Sequence, residues 1–358
     1  MSGARQNNFD FLRLCAASIV VIGHAFPIMG MKQPELLRNP ISIFGLVAFF
    51  SISGYLIAGS WLNDPNILRF FAKRALRIFP ALIALVGLTV FVLGPIESSL
   101  PIAEYFANAR TYNYLKSAAL YIAYDLPGLF DGNPIRGTVN VSLWSLPAEF
   151  FMYLITPAAL IIFARRPIAL ALLSSIFAAG AVYVGYFYTG PKLVVYATEV
   201  RAALAMGAYF LAGAFIRVVK DRITFSLKSV LILSLTYALL SHWFDGWLRY
   251  PIAIFVSLAV PYIVISLAKR STPILRETGR AGDFSYGIYL YAFPIQQVIA
   301  AHFPQMNVWH VIALTFSVTV PCAFASWHLV EKRTLGLKAT IPLRRELAFP
   351  PGQTQAGN

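Results

Sequence analysis

An all-α, polytopic bundle of about ten transmembrane helices is predicted by three features of the sequence. Of 358 residues, 58% are hydrophobic and only 12% charged, against roughly 25% charged in soluble domains, and the mean hydropathy is +0.67. Apolar stretches of about 20 residues, the length that spans a hydrocarbon core, recur from Leu14 to Val330 with no polar block wide enough for a separate soluble module. The net charge of +14 is gathered into short clusters between these stretches. A nucleic-acid partner is therefore not expected, since it would call for basic residues along one face. Cys15 and Cys322 each sit inside an apolar run without metal-like spacing to a second ligand, so neither a disulfide framework nor a metal site is expected.

The helices follow from the apolar runs in order. The first is expected at 11–29 and retained, because Asp10 and Arg13 interrupt its start and no small-residue cleavage site follows. The second, 43–62, carries Ser51, Ser53 and Gly54 as close-packing points. The third, 78–95, follows a basic group, Arg69, Lys73, Arg74 and Arg77. In the long connection after it, residues 111–130 are too polar to span and are expected to be interfacial or re-entrant. Pro147 suits the first turn of a fourth helix at 146–164, which sets Glu149 within that turn. Further runs predict helices at 168–188, 200–219, 226–244, 250–268, 284–303 and 308–330. One membrane unit is expected over 1–345, with a disordered cytoplasmic tail at 346–358 after Pro350-Pro351-Gly352.

Charge then orients the bundle. The larger share of the 29 Lys and Arg falls at the chain ends and around 69–77, 165–166, 217–228 and 269–280. The smaller share, including Lys32, Arg110, Lys116, Arg136 and Lys192, falls in the alternate loops. Ten crossings with both termini on the cytoplasmic side fit the positive-inside rule.

Ionisable residues inside a membrane are costly and mark candidate sites. Asp10, Arg13 and His24 share one face of the first helix: eleven residues at 3.6 per turn return His24 to within about 20° of Arg13, about 16 Å further along the axis. A bundle-facing histidine that is only hydrogen-bonded would fit the same placement. Arg74 and Arg77, three apart, share a helical face and suit phosphate oxygens. An anchor to lipid headgroups would use the same residues. Glu149, with Tyr153 one turn later, reads either as a site carboxylate or as an acid favoured by the helix dipole. Ser285, Tyr286, Tyr289 and Tyr291 add hydroxyls in the ninth helix.

Several stretches occur together and in order: Asn8-Phe9-Asp10-Phe11-Leu12-Arg13 followed by His24; Phe49-Phe50-Ser51-Ile52-Ser53-Gly54-Tyr55; and Lys73-Arg74-Ala75-Leu76-Arg77. They continue with Val139-Asn140-Val141-Ser142-Leu143-Trp144-Ser145-Leu146-Pro147-Ala148-Glu149, then Phe284-Ser285-Tyr286-Gly287-Ile288-Tyr289-Leu290-Tyr291, and Glu331 at the end of the last helix. The ordered set, covering roughly residues 8–335, resembles the acyltransferase-3 family of membrane-bound O-acyltransferases, of the surface polysaccharide acetylase type.

The resemblance implies ten core helices in a bacterial inner membrane. It also implies transfer of an acyl group, usually acetyl from acetyl-CoA, to a hydroxyl of a carbohydrate or surface glycoconjugate. It assigns catalysis to His24 and Glu149 and donor binding to Arg13, Arg74 and Arg77. Supporting or substrate-side roles fall to Asp10, Ser53, Tyr153, Ser285 and Tyr289. The chain departs from the family pattern at Tyr291-Ala292, where a histidine often follows the Tyr-Leu pair, and at Val141, which replaces a commoner glycine. The hydrolase-like domain appended to some members is not expected. The competing reading is a transporter or flippase with the buried His, Arg and Glu as a relay. Against it stand the missing inverted repeat and the grouping of motifs around an arginine pair.

Overall fold

In a membrane, apolar runs of this length satisfy their backbone polar groups as helices, and the chain forms them. The computed structural model describes residues 7–244 and 246–340. Ten long helices stand among the described residues: α1 Phe9–Ile28, α2 Ile41–Asn63, α3 Ile67–Leu88, α4 Ser145–Phe163, α5 Pro167–Tyr186, α6 Val200–Val218, α7 Leu227–Trp243, α8 Arg249–Ala268, α9 Ser285–His302 and α10 Val308–Ser326. Eight of them are long and apolar enough to cross a membrane. The other two are α7, of 17 residues, and α9, of 18, which carries several polar side chains of the site below. The only strands among the described residues form two small hairpins, Glu35–Leu36 with Asn39–Pro40 and Val194–Val195 with Thr198–Glu199.

Nine helices start within two residues of the positions expected from the apolar runs. The third does not. It begins at Ile67, eleven residues early, so Arg69, Lys73, Arg74 and Arg77 lie inside it rather than ahead of it. Two devices permit this. The Asn66 side chain caps the first turn by accepting from the Arg69 backbone N–H at 3.0 Å. Asp64 pairs with Arg69 at 2.5 Å and Lys73 at 2.7 Å. Those hydrogen bonds hold the Asp64 carboxyl well below the usual range. An apolar-run criterion counts the four cations against a helix; the cap and the shared counter-ion outweigh them.

The last helix also runs on, through a π turn at Trp327–Glu331 and then Lys332–Gly336. A π turn adds a residue to the helical repeat. Here it ends on Glu331, which points into the bundle and is only 2% exposed. The expected disordered tail at 346–358 lies outside the described residues.

Residues 111–130 form no spanning helix. Ile102–Ala107 and Ala109–Asn113 are short helices, Tyr114–Ala119 is a 3₁₀ turn, and non-helical chain follows. This segment buries Tyr105, Tyr114, Leu129 and Phe130 in the main core. Beyond it, Asn133 donates to the Gln297 backbone and side-chain oxygens, both at 2.9 Å. The connection thus covers the His24 end of the bundle.

At the centre, α2 packs against α6 backbone to backbone. A Cβ at Gly54 would lie 1.9 Å from the Phe210 carbonyl oxygen, and one at Gly213 would lie 2.3 Å from that of Ser51. Backbone cannot yield as a flexible side chain can. Gly54→Ala is therefore expected to cost about 3 kcal/mol or more, at or beyond the upper end for overpacked cores. This would be read as a lowered melting temperature in detergent; an unchanged melting temperature would show that the two helices are not in contact there.

Candidate functional site

A polar cavity opens between α1, α2, α3, α4 and α9. Its lining includes Arg13, Ser53, Arg74, Arg77, Glu149, Tyr153, Ser285 and Tyr289, each singled out in the sequence. Five helices contribute, because residues spaced three, four, seven or eleven apart return to one helical face. Asp10 stands one step behind, ion-paired to Arg13.

Most of the charge here is already matched. Arg13 meets Asp10 and, at 3.2 Å, Asp283. Arg77 meets Asp283 at 2.5 Å and Glu331 at 3.4 Å, and its guanidinium lies 5.4 Å from the centre of the Tyr286 ring. Asp283 accepts a further hydrogen bond from Ser285 at 2.6 Å, and Glu331 one from Ser326 at 3.2 Å. Burial alone would raise the Asp283 carboxyl. The Arg77 and Arg13 guanidiniums and the Ser285 hydroxyl outweigh it and hold the group below the ordinary carboxylate range. Arg74 differs from its neighbours. Its Nε, like that of Arg13, is buried without a hydrogen-bond partner, but unlike Arg13 and Arg77 the side chain makes no direct ion pair among the described residues. The two arginines that look equivalent in sequence are therefore unlike: Arg77 is clamped by two carboxylates and Arg74 is not.

Glu149 sits differently from its expected first-turn position. The helix is preceded by a 3₁₀ turn, Val141–Trp144, so Glu149 lies more than a turn inside the combined segment. It lines the same cavity as the arginines. Its Oε1 accepts from Ser53 Oγ at 2.6 Å and from the Tyr153 hydroxyl at 2.7 Å.

His24 is not part of the cavity lining. It lies further along α1, with Nδ1 3.4 Å from Ser142 Oγ and its ring edge-on to Phe293 at 5.4 Å. A layer of hydroxyls connects the two places. Tyr289 donates to the Ser142 carbonyl at 2.5 Å and shares a 2.6 Å hydrogen bond with Ser145 Oγ, and Tyr289 and Ser145 both line the cavity. The site thus has a cationic end at Arg13, Arg74 and Arg77 and an imidazole beyond its hydroxyl end.

Sequence reasoning missed Asp283. The available signal was electrostatic: two arginines inside a membrane require counter-charges, and Asp283 immediately precedes the polar start of α9. Asn140 and Ser142 were legible only as members of a motif.

Comparison with known proteins gives a consistent answer. Residues 6–328 match the family model Acyl_transf_3, described as an acyltransferase domain. The chain is 29% identical over 332 residues to a protein of Shigella phage Sf6 named O-acetyl transferase, covering 92% of this chain and 96% of that one. It is 28% identical over 369 aligned positions to Nodulation protein 10 of Rhizobium leguminosarum bv. viciae, covering 96% of this chain and 97% of that one. No solved structure matches. With a family model spanning most of its length and an all-helical membrane bundle to carry it, the chain belongs to the acyltransferase-3 family of membrane-bound acyltransferases.

Proposed function

We propose that this acyltransferase is an O-acetyltransferase of a bacterial inner membrane that takes acetyl from cytoplasmic acetyl-CoA and delivers it to a hydroxyl of a carbohydrate or surface glycoconjugate. The observation that carries the donor assignment is Arg74, a guanidinium that lines the cavity and makes no direct ion pair among the described residues, with Glu149 of the same cavity its opposite charge at longer range. A half-buried guanidinium with no direct carboxylate contact is under-compensated for its lost hydration, and a phosphate oxygen supplies both the close charge and the fork-shaped hydrogen bonding it lacks. Coenzyme A carries phosphates at one end and its thioester at the end of a long flexible arm. That layout matches a site with its cations at one end and its imidazole beyond the other.

Direct transfer balances as follows. The acceptor hydroxyl oxygen bonds to the acetyl carbonyl carbon while its proton passes to a nitrogen of His24. The carbon–sulfur bond then breaks, and the departing thiolate takes the proton to become the free thiol. In the covalent variant the imidazole nitrogen attacks first, coenzyme A leaves as the thiol with the proton the ring gives up, and the acceptor hydroxyl takes the acetyl group in a second step and returns its own proton to the ring. Glu149, held by Ser53 and Tyr153, is placed to orient donor or acceptor groups in the cavity. The test is transfer of isotope-labelled acetyl from acetyl-CoA by the purified protein in liposomes, with His24→Ala as control. Transfer that persists unchanged in the control would remove His24 from the chemistry.

The orientation is tested separately. With Cys15 and Cys322 replaced, single cysteines at Asp131 and Asp221 are expected to react with a membrane-impermeant maleimide from opposite sides, Asp131 from outside and Asp221 from the cytoplasm. Labelling of both from one side would overturn the topology.

A further inference from the structure

We propose that Ser142 and Asn140 are positioning residues for His24. Ser142 Oγ accepts from Nδ1–H and so leaves the lone pair on Nε2. Asn140 holds Ser142 there by capping a carbonyl that Pro294 leaves without its helical donor. The proposal rests on the reading of His24 as the working imidazole.

The argument begins in α9. Pro294 lies inside the helix and has no N–H, so the carbonyl of Leu290, four residues earlier, loses its normal partner. An unpaired carbonyl in a membrane bundle must find another donor. Asn140 provides it, with Nδ2 3.0 Å from the Leu290 oxygen. The same amide accepts from the Ser142 backbone N–H at 3.1 Å, which starts the 3₁₀ turn. Asn140 is fully buried and Ser142 is 2% exposed. Tyr289 fixes the far side of the turn through the Ser142 carbonyl at 2.5 Å. The Ser142 backbone N–H and carbonyl and the Asn140 side-chain amide are thus committed, while the Ser142 Oγ has one partner among the described residues, His24 Nδ1 at 3.4 Å. Such contacts are commonly long before substrate binds. Phe293 holds the ring edge-on. No protein group among the described residues hydrogen-bonds Nε2, so Nε2 is the nitrogen available to a substrate. A base or nucleophile needs its lone pair there, which puts the proton on Nδ1 and makes the serine oxygen the acceptor.

The experiment has a spectroscopic arm that does not depend on activity. Nitrogen-15 NMR of histidine-labelled protein distinguishes the two neutral tautomers, and His24→Gln identifies which of the five histidines gives the signal. Wild-type His24 is expected as the Nδ1–H form. Ser142→Ala is expected to give a mixture, and Ser142→Thr to retain the wild-type form. In turnover, Ser142→Ala is expected to lower kcat about 10²-fold, the scale of a small misplacement of a reacting group, with KM for acetyl-CoA within about twofold and recovery in Ser142→Thr. Asn140→Ala should behave likewise, and adding Pro294→Ala, which returns an N–H to the Leu290 carbonyl, should recover part of the loss.

An Nε2–H form in the wild type would overturn the proposal. So would a Ser142→Ala protein whose imidazole signal and kcat match wild type. If the wild-type protein transfers no acetyl group, the functional reading fails while the tautomer measurement still decides this one.

Discussion

His24→Gln is expected to reduce acetyl transfer by about 10²–10⁴-fold if the imidazole serves as a general base, with insertion and acetyl-CoA binding retained. Glutamine approximates the size and hydrogen-bonding reach of the ring but carries no basic lone pair. The polar cost to the fold is small, because the ring's hydrogen bond among the described residues is one long contact with Ser142. A larger loss is expected if His24 carries the acetyl group covalently. In that case wild-type protein incubated with acetyl-CoA alone should acquire a hydroxylamine-labile acetyl group that His24→Gln lacks. Near-normal turnover in His24→Gln would place the chemistry away from His24, and the hydroxyl layer at Ser142, Ser145 and Tyr289 would then need a different explanation.

The fold was legible because membrane insertion demands long apolar helices, and that demand is written directly into composition and spacing. It failed to predict the helix ends wherever a local device tolerates charge. Asn66 and Asp64 let α3 begin among four cations, and a π turn carries the last helix past its apolar run. The candidate site was legible as residue types on helical faces. Arg13, Ser53, Arg74, Arg77, Glu149, Tyr153, Ser285 and Tyr289 do converge. What spacing does not encode is pairing between distant helices. Nothing three residues apart distinguishes Arg74 from Arg77, yet Asp283 and Glu331, more than 200 residues away, engage only the second. The Asn140–Leu290 contact is hidden for the same reason, although Pro294 marks in advance a carbonyl that must find a partner.

That difference sets the last expectation, in which two arginines of one motif fail in different ways. Arg74→Ala is expected to leave the protein folded and to raise the apparent Michaelis constant for acetyl-CoA. Loss of one charge-assisted contact is worth about 1.5–3 kcal/mol, which corresponds to roughly 10- to 100-fold in affinity. Arg74→Lys should recover only part, since an ammonium supplies the charge but not the planar fork. Arg77→Ala is expected to fail first in stability. Removing one partner of a buried ionic cluster costs about 3–5 kcal/mol, and here it leaves Glu331, 2% exposed, without a cation and Asp283, 11% exposed, with Arg13 alone. Adding Asp283→Asn and Glu331→Gln to Arg77→Ala removes the excess negative charge and should restore much of the melting temperature. Measuring melting temperature and acetyl-CoA affinity on the same four variants separates the roles. If Arg77→Ala keeps its melting temperature and loses donor affinity as Arg74→Ala does, the two arginines act as a pair on the donor and the carboxylate clamp is incidental. If Arg74→Ala binds acetyl-CoA normally, the Arg74 guanidinium is a lipid anchor and the donor site lies elsewhere.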